Sequence, residues 1–248
     1  GGQMIDRHYS QWLDVWNELT DHDESEWIGL NKHSSKEAYL TQPGAGAAAN
    51  ELHIPQLYIP LQFWFCRNPG LALPLIALQY HEVKVKIVTR NVNALLNTNG
   101  NAGGVAITGA PDVKLWADYI YLDTDERRRF AQVSHEYLIE QVQHQDLQDS
   151  GSNDLTFNHP VKELVWTGAT TAASGIRSPG MTNGSTATKW HLKLNGHDRM
   201  AARAASYFTR VQVYQHHTGP GGVNPVAASP GGKWNDSIAV YSFALKPE

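Results

Sequence analysis

Two histidine–glutamate pairs, His81-Glu82 and His135-Glu136, come nearest to a metal-dependent hydrolase signature. A zinc-binding helix needs a second histidine four positions after the first, so that both rings leave one face. Those positions hold Val85 and Ile139. The pairs are therefore expected to be polar positions at strand ends. His216-His217 lies beside a Gly/Pro loop and is expected to be exposed surface rather than a ligand pair. No Gly-x-Ser-x-Gly elbow presents a nucleophilic serine. Gly44-Ala-Gly46 is followed by alanines and lacks the Lys-Ser/Thr that a phosphate loop requires. Cys66 lies in an apolar run, where a buried, inert thiol is the default. Carboxylates are plentiful, but no pair stands out. The sequence thus yields no catalytic residue, no metal ligand and no cofactor site, and the expectation is that the protein is not an enzyme. Two Asn-x-Ser triplets, at Asn183 and Asn235, fall in expected loops and are candidate glycan acceptors.

Composition narrows the classes further. Charged residues make up 18% of the 248, below the roughly 25% of an ordinary soluble domain. Eight Trp and ten Tyr supply large buried or interface area. The formal net charge is −4, and no basic cluster exceeds Arg127-Arg128-Arg129. Direct wrapping of nucleic acid needs many Lys and Arg on one face, so no direct nucleic-acid partner is expected. The single cysteine excludes an intrachain disulfide and fits a reducing compartment. No charged segment followed by an apolar core marks a secretory signal. The longest apolar region, 57–78, is broken by Pro60, Arg67, Asn68, Pro69 and Pro74, so no membrane span is expected. Gly1 opens the chain and Met4 is its first methionine, while a strand-like run leads directly into Glu248. The expectation is an internal piece of a longer protein.

The elements that position these residues follow from periodicity. Ile5, Tyr9, Trp12, Leu13, Trp16 and Leu19 share one helical face, with Asp6 as a candidate cap. Leu57 to Phe65 alternates Leu57, Ile59, Leu61, Phe63 and Phe65, with Tyr58 and Trp64 on the other side, as in a strand covered on both faces. Asn68-Pro69-Gly70 is a turn. His81 to Val88 is the cleanest strand, with Val83, Val85 and Ile87 inward and Glu82, Lys84 and Lys86 outward. Further strands are expected over 115–122, 135–142, 164–166, 190–194 and 238–245. Short helical turns are expected over 125–132, a helix over 199–207, and a turn at Asn195-Gly196. Residues 21–26, 42–50, 91–109, 167–188 and 218–236 read as loops.

Many short strands, few helices and long loops indicate an all-β sandwich or jelly roll. An internal echo points to two copies. Asp6-Arg7 and Asp198-Arg199 each precede an aromatic helical segment, and each is followed further on by an aromatic strand, at Tyr58 and at Tyr241.

The strand blocks carry a specific likeness. Tyr58 to Lys84, beginning Tyr-Ile-Pro-Leu-Gln-Phe-Trp-Phe-Cys-Arg-Asn-Pro-Gly, resembles the major capsid proteins of large nucleocytoplasmic DNA viruses, the algal-virus branch in particular. So do Gly1 to Tyr9, Asp118 to Arg127, Phe130-Ala-Gln132 and His135 to Gln141. Phe157-Asn-His-Pro160, Leu194-Asn-Gly196, Asp198-Arg199 and Tyr241 to Pro247 continue it in family order. The resemblance implies a tandem double jelly roll, two eight-stranded sandwiches, with this chain holding the second part of roll one and the first part of roll two. It implies roll one over 1–126, a linker over 127–134 and a truncated roll two over 135–248. It also implies homotrimeric, pseudo-hexameric capsomers that tile an icosahedral shell. Penton and minor capsid proteins would be partners, an internal viral membrane would lie beneath, and assembly would take place in the host cytoplasm. With the start of roll one and the end of roll two missing, unpaired strand edges are expected. Trp12, Trp16, Phe63 and Trp64 are candidates for the trimer seam that core packing explains equally well. The alternative reading is a carbohydrate-binding, lectin-like jelly roll, for which Trp27, Trp190 and Trp234 would be the exposed aromatics. A cupin-like metal site is disfavoured because no His-x-His occurs.

Overall fold

In the computed structural model, the described residues are 2–20, 59–89, 112–147, 151–167, 182–183, 189–219, 221, 223–225, 234–236 and 238–248. Helices α1 (Ser10–Thr20), α2 (Thr124–Gln132) and α3 (Gln212–His216) are present. The strands are β1 (Glu163–Thr167), β2 (Thr182–Asn183), β3 (Lys189–Trp190), β4 (Lys193–Leu194), β5 (His197–Asp198), β6 (Arg203–Ala204), β7 (Val223–Pro225), β8 (Trp234–Asp236) and β9 (Ile238–Ser242). Ladders outnumber helices, and helix is scarce. The expected loops 21–26, 42–50 and 91–109 lie outside the described residues, as do Leu57 and Tyr58.

The chain divides into two compact units, one of 1–9, 40–53 and 59–143 and another of 10–39, 54–58 and 144–248. In the first unit, Asn68-Pro69-Gly70 folds as its residue types require. The Asn68 side chain accepts from the Gly70 amide at 2.8 Å and Pro69 opens a 3-10 turn. Helix α2 has Asp125 and Glu126 in its first turn and Arg129 in its last, the polarity that the helix dipole favours. The Asp123 side chain makes no cap bond there. Asp6, expected to cap the first helix, does something else, because α1 starts only at Ser10. Its carboxylate accepts from the Arg7 and Val142 amides at 2.8 and 3.2 Å and faces His8 Nε2 at 3.1 Å.

Four strand expectations in this unit fail among the described residues. Residues 82–89, 112–123 and 134–143 carry no ladder, and 59–63 lead only into a 3-10 turn at Trp64–Cys66. Alternation encodes a face, whereas a strand also needs a partner for its amides and carbonyls. No described segment supplies that partner here.

The second unit is built on an antiparallel pair. β1 and β9 run in register from Glu163 opposite Ser242 to Thr167 opposite Ile238. Every residue of β9 is buried. Ile238 and Val240 pack with Leu19 and Val213, while Ala239 and Tyr241 pack with Phe208. Successive β9 side chains thus fill two clusters on opposite faces, as in a strand covered on both sides. Asn195 and Gly196, at φ 51° and 80°, form the β4–β5 hairpin turn, where both central residues must be left-handed. The helix expected over 199–207 begins later. Arg203 and Ala204 instead pair with Trp190 and Lys189, and the helical run spans a π turn at Tyr207–Val211 and then α3. Cross-strand pairing overrides the helix propensity of the alanines there. The expected loop 218–236 contains β7 and β8.

Candidate functional site

Two features stand out, one in each unit. The first is apolar surface without cover. Val83, Val85, Ile87 and Val88 are exposed, although the first three alternate as an inward face. Glu82 and Lys84, on the other side, form a surface ion pair at 3.0 Å. In the next segment Leu115, Trp116, Tyr119, Ile120 and Tyr121 are exposed, Trp116 by 79% and Tyr121 by 91%. Leu138 follows at 94%. So many large apolar side chains exposed along these segments point to a place where another surface packs.

Beside these segments the first unit has an aromatic and ionic joint. Phe63 stacks on His8 at 4.4 Å and on Phe65 at 5.5 Å. Trp64 packs edge-on against Phe65 and tilts over Tyr137 at 5.5 Å. Arg67 pairs with Glu140 at 2.6 Å. Cys66 is exposed, not buried as expected, because the run around it turns instead of entering a sheet. Partial burial still pushes its thiol pKa up, with the Phe63 backbone working the other way. His135 Nε2 lies 2.8 Å from the Phe130 carbonyl, and so binds the end of α2.

The second feature is a histidine clamp. His217 follows α3, and its side chain is fully buried, against the expectation of exposure. Its Nε2 lies 2.9 Å from Glu163 Oε2 and its Nδ1 lies 3.2 Å from Glu248 Oε1. The Trp16 ring meets it edge-on at 6.2 Å. Glu248 also accepts from the Thr218 amide at 2.8 Å. The adjoining strap caps α1. Thr218 Oγ1 donates to the Thr20 carbonyl at 3.2 Å, the Gly219 amide to Leu19 at 2.7 Å and the Gly221 amide to Glu18 at 3.0 Å. These carbonyls are among the last four that a helix leaves unsatisfied. Sequence reasoning missed the clamp, since its partners lie 54 and 31 residues away along the chain.

Of the candidate seam residues, Trp16 is buried in the second unit's core with Trp12 beside it at 5.4 Å. Phe63 and Trp64 are half-buried in the joint described above. Trp190, a candidate sugar-binding aromatic, packs on Trp166 and Phe208 at 5.4 and 5.7 Å. Trp27 lies outside the described residues. Asn183 and Asn235, expected in loops, occupy β2 and β8 and stand directly opposite each other in that ladder. Among the described residues, no group of three or more His, Cys, Asp or Glu is placed to hold a metal ion. No described helix is long and apolar enough to cross a membrane.

This arrangement has relatives. Residues 1–123 match the family model for the major capsid protein N-terminus, and residues 126–248 match that for the large eukaryotic DNA virus major capsid protein. The chain is 44% identical to the major capsid protein of Pyramimonas orientalis virus, over its whole length and 61% of the relative's. It is 33% identical to that of Phaeocystis pouchetii virus, again over its whole length and 68% of the relative's. It superposes along its full length on 63% of a chain in a quasi-atomic model of the PBCV-1 virus capsid, with a TM-score of 0.63 at 34% identity. The chain therefore spans about two thirds of the length of such relatives. With family models matched from end to end and the Phaeocystis virus protein covered across 68% of its length, the chain belongs to the major capsid proteins of large eukaryotic DNA viruses.

Proposed function

We propose that the protein is a structural component of the virion, with no catalytic role, and that it builds an icosahedral shell from pseudo-hexameric homotrimers. The observation that carries this reading is the exposed apolar surface of 83–88 and 113–121 in a chain of this family. A shell subunit needs broad contact surfaces rich in Tyr, Trp and Phe. The full-length protein is a tandem double jelly roll in this reading, with roll one over 1–126, a linker over 127–134 and roll two from 135. Support comes from the two family matches, which meet between residues 123 and 126, next to α2. The unladdered segments would gain partner strands in the third of the relatives' length that this chain does not span.

The partners are then other copies of the same protein, penton and minor capsid proteins, and a viral membrane reached only indirectly. The net charge of −4 supports the absence of direct nucleic-acid binding. The protein resides in the capsid, and capsids assemble in the host cytoplasm. Asn183 and Asn235 remain the candidate glycan acceptors. Light scattering on the full-length protein tests the reading. A mass three times that of the chain is expected, and a stable monomer would overturn it.

A further inference from the structure

An exposed turn of the second unit carries a chemistry of its own, independent of the shell reading. Asn195 and Gly196 stand between the paired Leu194 and His197 of the β4–β5 hairpin, and both are open to water. The side-chain amide carbon of an asparagine is an acyl centre, and the next backbone nitrogen reaches it through a five-membered ring. Glycine in the next position leaves that nitrogen unshielded by a side chain, and a Cβ built on Gly196 would meet nothing within 4 Å. The sequence holds Asn-Gly pairs at Asn99, Asn183 and Asn195, and Asn195–Gly196 is the pair described at both residues.

The backbone decides whether the two groups meet. Asn195 and Gly196 have φ 51° and 80°, the left-handed conformation that a tight hairpin turn requires. In that conformation Cβ crowds its own residue's carbonyl oxygen. The carbonyl carbon is planar, so its nitrogen substituent, the Gly196 N, lies on the side away from Cβ. The Asn195 amide carbon hangs on Cβ, and the nucleophile is held opposite to it. Ring closure needs a rotation about the Asn195 Cα–C bond that leaves the left-handed region and undoes the turn. We propose that Asn195 is a gated deamidation site: the closed β4–β5 hairpin keeps the Gly196 nitrogen away from the Asn195 side-chain carbonyl, and opening of the hairpin lets them react.

In the open turn the Gly196 nitrogen gives its proton to solvent and forms a bond to Asn195 Cγ. The Cγ–Nδ2 bond breaks, and ammonia leaves. Water then adds to either carbonyl of the succinimide and opens the ring, giving aspartate or isoaspartate. The sum is amide plus water to acid plus ammonia, with no oxidant or other co-reactant. Isoaspartate carries an extra backbone carbon, so the turn no longer closes in register. The ladder at stake sets Lys193 opposite Asp198, with the Arg199 amide bonded to the Leu192 carbonyl at 3.0 Å. Leu192 and Met200, at its inner end, pack against the Phe208 cluster, so a change at the exposed turn reaches the core.

The test follows the tryptic peptide 194–199 of the full-length protein by mass and by chromatographic separation of the aspartate and isoaspartate forms, in folded and in denatured samples. Incubation runs until the Asn99 pair of the same chain has converted in the denatured sample. Asn195 should convert alongside it there. In the folded protein it should convert about tenfold more slowly or less, each factor of ten corresponding to about 1.4 kcal/mol of local opening free energy. His197→Pro leaves Asn195–Gly196 intact and removes a ladder amide from β5, so conversion in the folded variant should rise toward the denatured rate. Equal rates in folded and denatured wild type would overturn the gate, as would a folded His197→Pro that converts at the wild-type rate. An Asn195 that stays intact in denaturant while Asn99 converts would overturn the site itself. If His197→Pro does not fold, the folded-to-denatured ratio of the wild type decides.

Discussion

Replacing Gly219 by alanine tests the capping strap with a single methyl group. The glycine does not adopt the left-handed conformation that excludes side chains, and what it needs is room. A Cβ there would stand 2.7 Å from both the carbonyl carbon and the oxygen of Leu19, and closer still to the Glu18 carbonyl oxygen. All are backbone atoms of α1, so no rotamer can relieve the clash. Either the strap lifts away or the last turn of α1 unwinds. Lifting the strap removes the 2.7 Å bond from the Gly219 amide to the Leu19 carbonyl. One backbone hydrogen bond is worth about 1 kcal/mol, and overpacking adds about 1–3 kcal/mol. The sum, about 2–4 kcal/mol, would lower the melting temperature of a domain of roughly 150–250 residues by about 4–16 °C, read on the full-length protein.

Gly196→Ala is the control. Gly196 sits at φ 80° in the β4–β5 turn with nothing within 4 Å of an added Cβ. It carries only the left-handed penalty of about 1–2 kcal/mol. The two variants separate in a local readout. Amide exchange over residues 10–20 should accelerate in Gly219→Ala and stay unchanged in Gly196→Ala. If Gly219→Ala melts no lower than the control and leaves α1 fully protected, the strap does not cap the helix and the reasoning fails.

Other predictions follow from the two units. Phe208→Ala should cost about 3–5 kcal/mol, because Phe208 is 1% exposed and touches Trp166, Trp190 and Tyr241; denaturant titration of the full-length protein checks this. Residues 1–248 produced alone should be insoluble or lack a cooperative transition, since Trp116, Tyr121 and Leu138 lie open. Sharp thermal unfolding of a soluble monomer would contradict that.

The readable parts of the sequence were those whose cause is local. Asn68-Pro69-Gly70 is a turn because one side chain caps it, and Asn195-Gly196 is a hairpin because both residues tolerate positive φ. Helix α2 was visible in the charge order of Asp125, Glu126 and Arg129. Both Asp-Arg pairs, at Asp6 and Asp198, do precede helical segments, α1 and the run from Tyr207. The parts that were not readable depend on distant partners. Arg203 and Ala204 look helical until Lys189 and Trp190 pair with them. His217 looks like surface until Glu163 and Glu248 close on it. The family was legible because its blocks of residues, unlike its loops, keep their order along the chain.

Two segments that both read as strands meet opposite ends, and the contrast bears on assembly. Ile238 to Ser242 and Val83 to Val88 both read as strands from their residues. The first is buried at every position, because β1 pairs with it and helical residues cover both faces. The second is exposed throughout. Alternation has a cost in solubility, and a sequence keeps it where burial returns the hydrophobic free energy of about 25 cal/mol per Å². In the second unit the return comes from within the chain. In the first unit nothing among the described residues provides it. On the proposed shell reading, the cover comes from further polypeptide or from a neighbouring subunit.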